Sequence, residues 1–168
     1  MKTNVENQIA AARLMLLENF VRFKVKPDTK LWSTLIQEEA AEVVEAYHLA
    51  VQAELEERDD APQLAADLLK ELSDVAYVIH GLELACFLSD GDMADMPRPD
   101  AETCQILEAA IEALEDKVGA NNVFEAFKRV HASNMSKLQD DGTPLLREDG
   151  KVLKGPNYKP PYLLDLVS

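Results

Sequence analysis

The sequence predicts an all-α protein: an antiparallel bundle of about five helices that ends in a short β-hairpin and a proline-rich tail. Three observations favour this fold class. Apolar residues recur at three- and four-residue steps, Ala, Leu, Glu and Lys fill the positions between them, and 47% of the 168 residues are hydrophobic. A chain of this length can bury a core as one domain. We therefore expect a single domain over residues 1–168, with the helical core at 5–138 and the hairpin and tail at 139–168.

The first three helices follow from the apolar pattern and from the residues that interrupt it. The first covers residues 5–23 and ends before Pro27, because the residue before a proline avoids the helical region. Asp28 is the expected N-cap of the second helix, which runs to residue 55. After an acidic connection, Asp60 is the expected N-cap of the third, with Pro62 in its first turn and its end near residue 88.

Two more helices follow a loop at residues 89–99. Asp100 can cap the fourth helix, and Gly119 can close it in the left-handed conformation. Asn121 or Asn122 is the expected cap of the fifth helix, which the apolar pattern extends to residue 138.

The C-terminal segment shows no helical pattern. The dipeptide Asp149-Gly150 lies between two short apolar stretches, which is a strong signal for a two-residue β-hairpin. Residues 157–161 contain consecutive prolines and are expected to be extended. The segment should therefore form two very short strands and an arm.

Charge and cysteine content limit the possible partners and compartments. Seventeen Lys and Arg against 31 Asp and Glu give a net charge of −14, which argues against nucleic acid or an anionic membrane as partner. Cys86 and Cys104 form no CxxC motif, and the N-terminus carries no signal-peptide pattern. These features predict a cytoplasmic protein with reduced thiols.

Two acidic motifs are the most informative feature of the chain. The second helix carries Glu38-Glu39-x-x-Glu42, and the third carries Glu71-x-x-Asp74. At about 100° per residue, Glu39 and Glu71 fall on the apolar stripes of their helices. We therefore expect both carboxylates to point towards the core.

Buried carboxylates need compensation. An ionised carboxylate in apolar surroundings costs several kcal/mol unless it is paired, protonated or bound to a metal. No Lys or Arg lies in either apolar stripe at a suitable spacing, so a metal site is the favoured interpretation. The predicted oxygen ligands, suited to Mg²⁺ or Mn²⁺, are Glu39, Glu42, Glu71 and Asp74.

The pattern EExxE, then 28 residues, then ExxD resembles the hallmark of the MazG-like all-α nucleoside triphosphate pyrophosphohydrolases, which include dimeric dUTPases and phosphoribosyl-ATP pyrophosphatases. The resemblance implies hydrolysis between the α and β phosphates, giving a monophosphate and pyrophosphate, with two to three metal ions per site. It implies that Glu38 is the catalytic residue that orients or deprotonates the water. It also implies a homodimer or a dimer of dimers, although the additional fourth helix departs from the simplest members.

Substrate-binding candidates lie near the C-terminus. Asn134 projects from the apolar face of the fifth helix, and an amide there needs a partner such as a base or sugar. Lys137, one turn later, could reach phosphates, and the dUTPase-like branch has a similar Asn-x-x-Lys helix end. Lys154 and Tyr158 could close over the site from the tail. This element favours a dUTP-like substrate and a role in cleaning the nucleotide pool.

Three alternatives remain. Phosphoribosyl-ATP hydrolysis is the second candidate reaction. A non-catalytic acidic protein that binds a partner helix would leave Glu39 and Glu71 without compensation. A di-iron carboxylate bundle would use the ExxH motif that ends at His48, but that architecture needs two such motifs and the sequence has one.

Overall fold

The computed structural model describes residues 4–168, and most of them are helical, which confirms the all-α class. A single-turn 3-10 helix at Met93–Asp95 lies between α3 and α4. The α-helices are α1 (Asn4–Phe23), α2 (Thr29–Leu55), α3 (Ala61–Ser89), α4 (Ala101–Val118), α5 (Ala120–Met135) and α6 (Leu164–Val167).

Helix α3 is the centre of the fold, because it contacts every other numbered helix. Its most apolar 18-residue window has a mean hydropathy of 1.3, high enough for a membrane span by length and composition alone. The packing partners on its sides account for this apolar character. Five residues connect α2 to α3, so the two long helices form an antiparallel hairpin with the largest helix–helix contact of the chain.

Two groups of buried side chains surround α3. One joins α1, α2, α3 and α5 and includes Trp32, which stacks on Phe20 with ring centroids 5.3 Å apart. Gly81 makes room for this ring, because a Cβ at position 81 would overlap it. The other group contains side chains from each of the helices α2, α3, α4, α5 and α6, and it includes Val43, Leu69, Ala110, Leu114 and Val167. The bundle is therefore closed at one end by the C-terminal turn of helix.

Three of the predicted helix ends are confirmed. The Asp28 carboxylate accepts hydrogen bonds from the backbone N–H groups of Lys30 and Leu31, at 3.0 and 3.1 Å. Asp100 accepts one from Thr103 N–H at 2.8 Å. Gly119 has φ +79° and ends α4.

One predicted cap lacks its hydrogen bond and another is wrong. Asp60 occupies the predicted N-cap position of α3 but makes no capping hydrogen bond, because Arg58 donates to its carboxylate instead, with Nε 2.9 Å from Oδ1. Neither Asn121 nor Asn122 caps α5, because that helix begins at Ala120, directly after Gly119. Helix α5 also ends at Met135, three residues before the predicted end, since its last turn leads into the C-terminal segment.

The predicted β-hairpin is not formed as strands within residues 4–168. An isolated antiparallel bridge between Leu146 and Val152 encloses Asp149-Gly150, and a second one joins Leu138 to Pro144 earlier in the chain. Gly150 has φ +96°, so the turn itself lies where the sequence places it.

The rest of the C-terminal segment returns to α5. The Ser133 hydroxyl donates to the Lys159 carbonyl at 2.7 Å, and Arg129 pairs with Asp165 at 2.6 Å. These contacts hold the segment against α5. The turn of helix α6 was not expected from the sequence.

Candidate active site

Three carboxylates of the α2–α3 hairpin meet at one place. Glu39, Glu42 and Glu71 each offer an oxygen, and these oxygens lie within 4.8 Å of one another. The side chains of Glu39 and Glu71 are 13% and 16% exposed, whereas Glu42 is exposed. Asp74, the fourth predicted ligand, lies close by on the same cavity wall but outside this group.

A lysine on α3 binds the carboxylates of its own helix. Lys70 Nζ is 2.8 Å from both oxygens of Glu71 and 2.9 Å from Asp74 Oδ2. The sequence interpretation that no cation has a suitable spacing is therefore wrong. The i, i+4 relation of Lys70 to Asp74 was the signal that could have identified it.

The carboxylates of α2 are bound by cations from the C-terminal segment. Lys151 Nζ is 2.7 Å from Glu38 Oε2 and 3.3 Å from Glu39 Oε1, and Arg147 donates to Glu38 Oε1 at 2.8 Å. Arg147 is held in turn by Asp149. No local pattern could identify these contacts, because more than a hundred residues separate the partners.

The site does not compensate all of its acids equally. Hydrogen bonds from Arg147 and Lys151 hold the pKa of Glu38 below its usual value, so this carboxylate is ionised at neutral pH. Burial, together with the charge of Asp74, raises the pKa of Glu39. Burial raises the pKa of Glu71 to about 7 even though Lys70 opposes the shift. The two inner carboxylates are therefore costly to ionise without additional positive charge.

A cavity of about 460 Å³ opens beside these acids. Helices α2 and α3 supply one wall, and α5 and the C-terminal segment supply the other. Glu38 and Glu71 lie outside the lining, and Arg147 and Lys151 of the C-terminal segment cover Glu38. Almost all of the residues proposed for metal or substrate binding line this one cavity, together with two further lysines: Glu39, Glu42, Lys70, Asp74, Asn134, Lys137, Lys151, Lys154 and Tyr158.

Two polar groups on the second wall lack protein partners. The Asn134 side chain is 8% exposed and makes no hydrogen bond to another residue in the described range 4–168. Lys137 has no ion pair within 4 Å among these residues, and burial lowers its pKa. Nearby, Lys154 Nζ lies 4.9 Å from the centre of the Tyr158 ring. A buried amide and a half-buried ammonium without partners are suited to a polar, anionic ligand.

A smaller pocket of about 90 Å³ continues from this cavity into the core. Both spaces are lined by Asn134 and Lys137, and the smaller one is otherwise mainly apolar. Asn19 also lines it, buried and with Nδ2 only 4.0 Å from the sulfur of Met135, which is a weak acceptor. Asn19 is not among the site residues predicted from the sequence, although an asparagine on the apolar stripe of the first helix was a usable signal.

Comparisons of the chain with protein-family models, with curated proteins and with solved structures find no match. The three carboxylates can hold a hard divalent cation, and the lysines of the opposite wall can bind a polyanion.

Proposed function

We propose that this protein is a metal-dependent nucleoside triphosphate pyrophosphohydrolase, which converts a (d)NTP and water into a (d)NMP and pyrophosphate. One observation carries the proposal: three carboxylates that meet within 4.8 Å stand beside a cavity lined by Lys137, Lys151 and Lys154. An acidic wall alone repels a triphosphate. Here the acids can hold a divalent cation, and lysines line the opposite wall of the cavity. The two walls together therefore suit a phosphate chain with its bound cation.

The donor set fits Mg²⁺ or Mn²⁺. All three ligands are carboxylates, and hard divalent cations prefer oxygen donors. The raised pKa values of Glu39 and Glu71 support the fit, because added positive charge would relieve the cost of ionising them. A bound ion would neutralise phosphate charge and lower the pKa of a bound water.

The protein's own groups have distinct parts in this proposal. Glu38 is ionised at neutral pH and can accept a hydrogen bond from the water, which orients it towards the α-phosphorus. Lys137 and Lys154 bind phosphate oxygens, and Lys151 can transfer from Glu38 and Glu39 to the phosphates when nucleotide enters. Asn134 offers its free amide to the base or sugar.

The smaller pocket favours a single-ring base. An apolar cavity of about 150 Å³ encloses a benzene molecule, and this pocket has about 90 Å³ and an open side towards the larger cavity. A pyrimidine can enter partly, whereas a purine needs more space. This supports a pyrimidine nucleotide such as dUTP as the substrate, which would suit a role in cleaning the nucleotide pool.

We also propose a cytoplasmic homodimer or dimer of dimers. The apolar side chains Leu14, Leu17 and Val21 are exposed along α1 at spacings of three and four residues, and they offer a contact surface for a second copy. Sedimentation velocity of the wild type and of Leu17→Glu tests this, and a monomer in both samples would contradict it.

The decisive experiment incubates the purified protein with the common NTPs and dNTPs, plus dUTP, in Mg²⁺, Mn²⁺ or EDTA, and separates the products. We expect monophosphate and pyrophosphate, no products in EDTA, and loss of activity in Glu71→Gln. Glu83→Gln is the matched control, because Glu83 is a half-buried acid of the same helix that pairs with His80 outside the cavity. Release of orthophosphate would overturn the α–β cleavage, and no turnover would overturn the enzyme assignment.

A further inference from the structure

Lys70 occupies a position between two predicted metal ligands. Its ammonium lies 2.8 Å from both Glu71 oxygens and 2.9 Å from Asp74 Oδ2, so one cation bridges the two acids of the motif. The side chains of Lys70, Glu71 and Asp74 are 28%, 16% and 19% exposed. The bridge is thus part of the cavity wall and not an exposed surface pair.

Helix geometry alone does not account for this bridge. Residues i and i+1 do not face each other on a helix, and an i, i+4 pair is weaker when the lysine precedes the acid. The ammonium of Lys70 is therefore held at the site by two carboxylates of its own helix.

Only one of the two bridged acids belongs to the group that can hold an ion. Glu39, Glu42 and Glu71 form that group, and Lys70 binds both Glu71 and Asp74, which is outside it. The partnerless amide of Asn134, buried and lining the same cavity, is an independent indication that a ligand enters here.

We propose that Lys70 takes the place of one divalent ion, so that the site binds a single ion at Glu39, Glu42 and Glu71. This inference rests on the proposed function and refines it, since the family resemblance implies two to three ions. Lys70 supplies the second positive charge, and its three N–H donors can turn from Asp74 to a phosphate oxygen.

The test is the number of Mn²⁺ ions bound per chain, measured by titration with electron paramagnetic resonance. We compare the wild type with Lys70→Gln, Lys70→Met and Lys70→Arg. Lys117→Gln is the control, since Lys117 also pairs with an acid, Glu54, at 2.7 Å but lies outside the cavity. We expect one ion in the wild type, Lys70→Arg and Lys117→Gln, and two in Lys70→Gln and Lys70→Met. Circular dichroism checks that each variant is folded, and Lys70→Met keeps the apolar stem if Lys70→Gln is unstable.

Two ions in the wild type, or one ion in folded Lys70→Gln and Lys70→Met, would overturn the role of Lys70. The nucleotide assay separates this result from failure of the proposed function. Hydrolysis that needs metal, with two ions bound to the wild type, rejects only the Lys70 assignment. No Mn²⁺ binding and no hydrolysis reject both.

Discussion

The carboxylates of α2 and of α3 are paired with cations from different parts of the chain. On α3, Lys70 pairs with Glu71 and Asp74, its neighbours in the same two helical turns. On α2, Glu38 pairs with Arg147 and Lys151, which lie 109 and 113 residues away. The first arrangement joins residues of a single helix. The second requires the C-terminal segment to be docked on the bundle.

This difference separates a permanent feature of the site from a conditional one. The segment is held to α5 by Ser133 and Arg129 and closes the cavity with Lys151 and Lys154. Its release would expose Glu38 and Glu39 and open the cavity, while Lys70 would stay in place. Docking or release of the segment therefore changes the ion pairs of Glu38 and Glu39 and not those within α3.

Removing a carboxylate from the α3 side is expected to have the largest effect. Glu71→Gln takes away one of the three oxygen donors, and loss of even an indirect metal-supporting group costs about 10–100-fold in affinity or activity. We expect kcat with Mg²⁺ to fall by more than about 100-fold and Mn²⁺ affinity to fall in parallel. Steady-state kinetics and Mn²⁺ titration measure these, with Glu83→Gln as control. Wild-type turnover in Glu71→Gln would exclude this residue as a ligand.

On the α2 side, Lys151→Gln is the next largest change. Hydrogen bonds to charged groups contribute about 1.5–3 kcal/mol, so we expect KM for the nucleotide to rise by at least about 10-fold, with a smaller change in kcat. The pKa of Glu38 should also rise, because Lys151 helps to lower it, and the acidic limb of the pH–rate profile should move to higher pH. The exposed Lys159, outside the cavity lining, provides the control Lys159→Gln. An equal rise in KM in both variants would show that the effect comes from the loss of one positive charge anywhere on the protein, and not from the position of Lys151.

The pH dependence of stability gives a third test of the α3 side. The pKa of Glu71 is about 7 in the folded protein, against a usual value near 4.5, so the folded state binds more protons between these values. The protonated Glu71 carboxyl makes its full contribution to the free energy of unfolding below about pH 4.5, and this contribution is lost as the pH rises through 7. Without metal, the melting temperature of Glu71→Gln relative to wild type should therefore increase across this window. A constant difference would contradict the raised pKa of Glu71.

Salt should produce the smallest effect and should act on the α2 side alone. The side chains of Arg147 and Glu38 are 39% and 33% exposed, and screening at 1 M salt reduces the Debye length to about 3 Å. We expect trypsin to cleave after Arg147 and Lys151 a few-fold faster in 1 M KCl than in 0.1 M KCl. Ser133→Ala, which removes the hydrogen bond to Lys159, should increase cleavage at both salt concentrations. Cleavage that does not respond to salt would show that these ion pairs do not hold the segment.

Much of the helical architecture could be predicted from the sequence, since helix periodicity and the caps at Asp28 and Asp100 depend on nearby residues. The errors also have local causes. Arg58, two residues away, binds the Asp60 carboxylate, so Asp60 stands at the N-cap of α3 without a capping hydrogen bond. At Asp149-Gly150 the turn formed, but the flanking residues make only isolated bridges, since no further strand pairs with them among the described residues.

The sequence by itself determined that carboxylates recur at positions 39, 42, 71 and 74 on two consecutive helices, because helical periodicity fixes their direction. Only the tertiary structure decided which of them meet and what surrounds them. In the folded protein Glu39, Glu42 and Glu71 meet, and Asp74 pairs with Lys70. Lys151 of the C-terminal segment binds the acids of α2. Spacing along a helix is a local property. Contacts between residues more than a hundred positions apart depend on how the C-terminal segment packs on the bundle. No local pattern in α2 or in the C-terminal segment encodes that packing by itself.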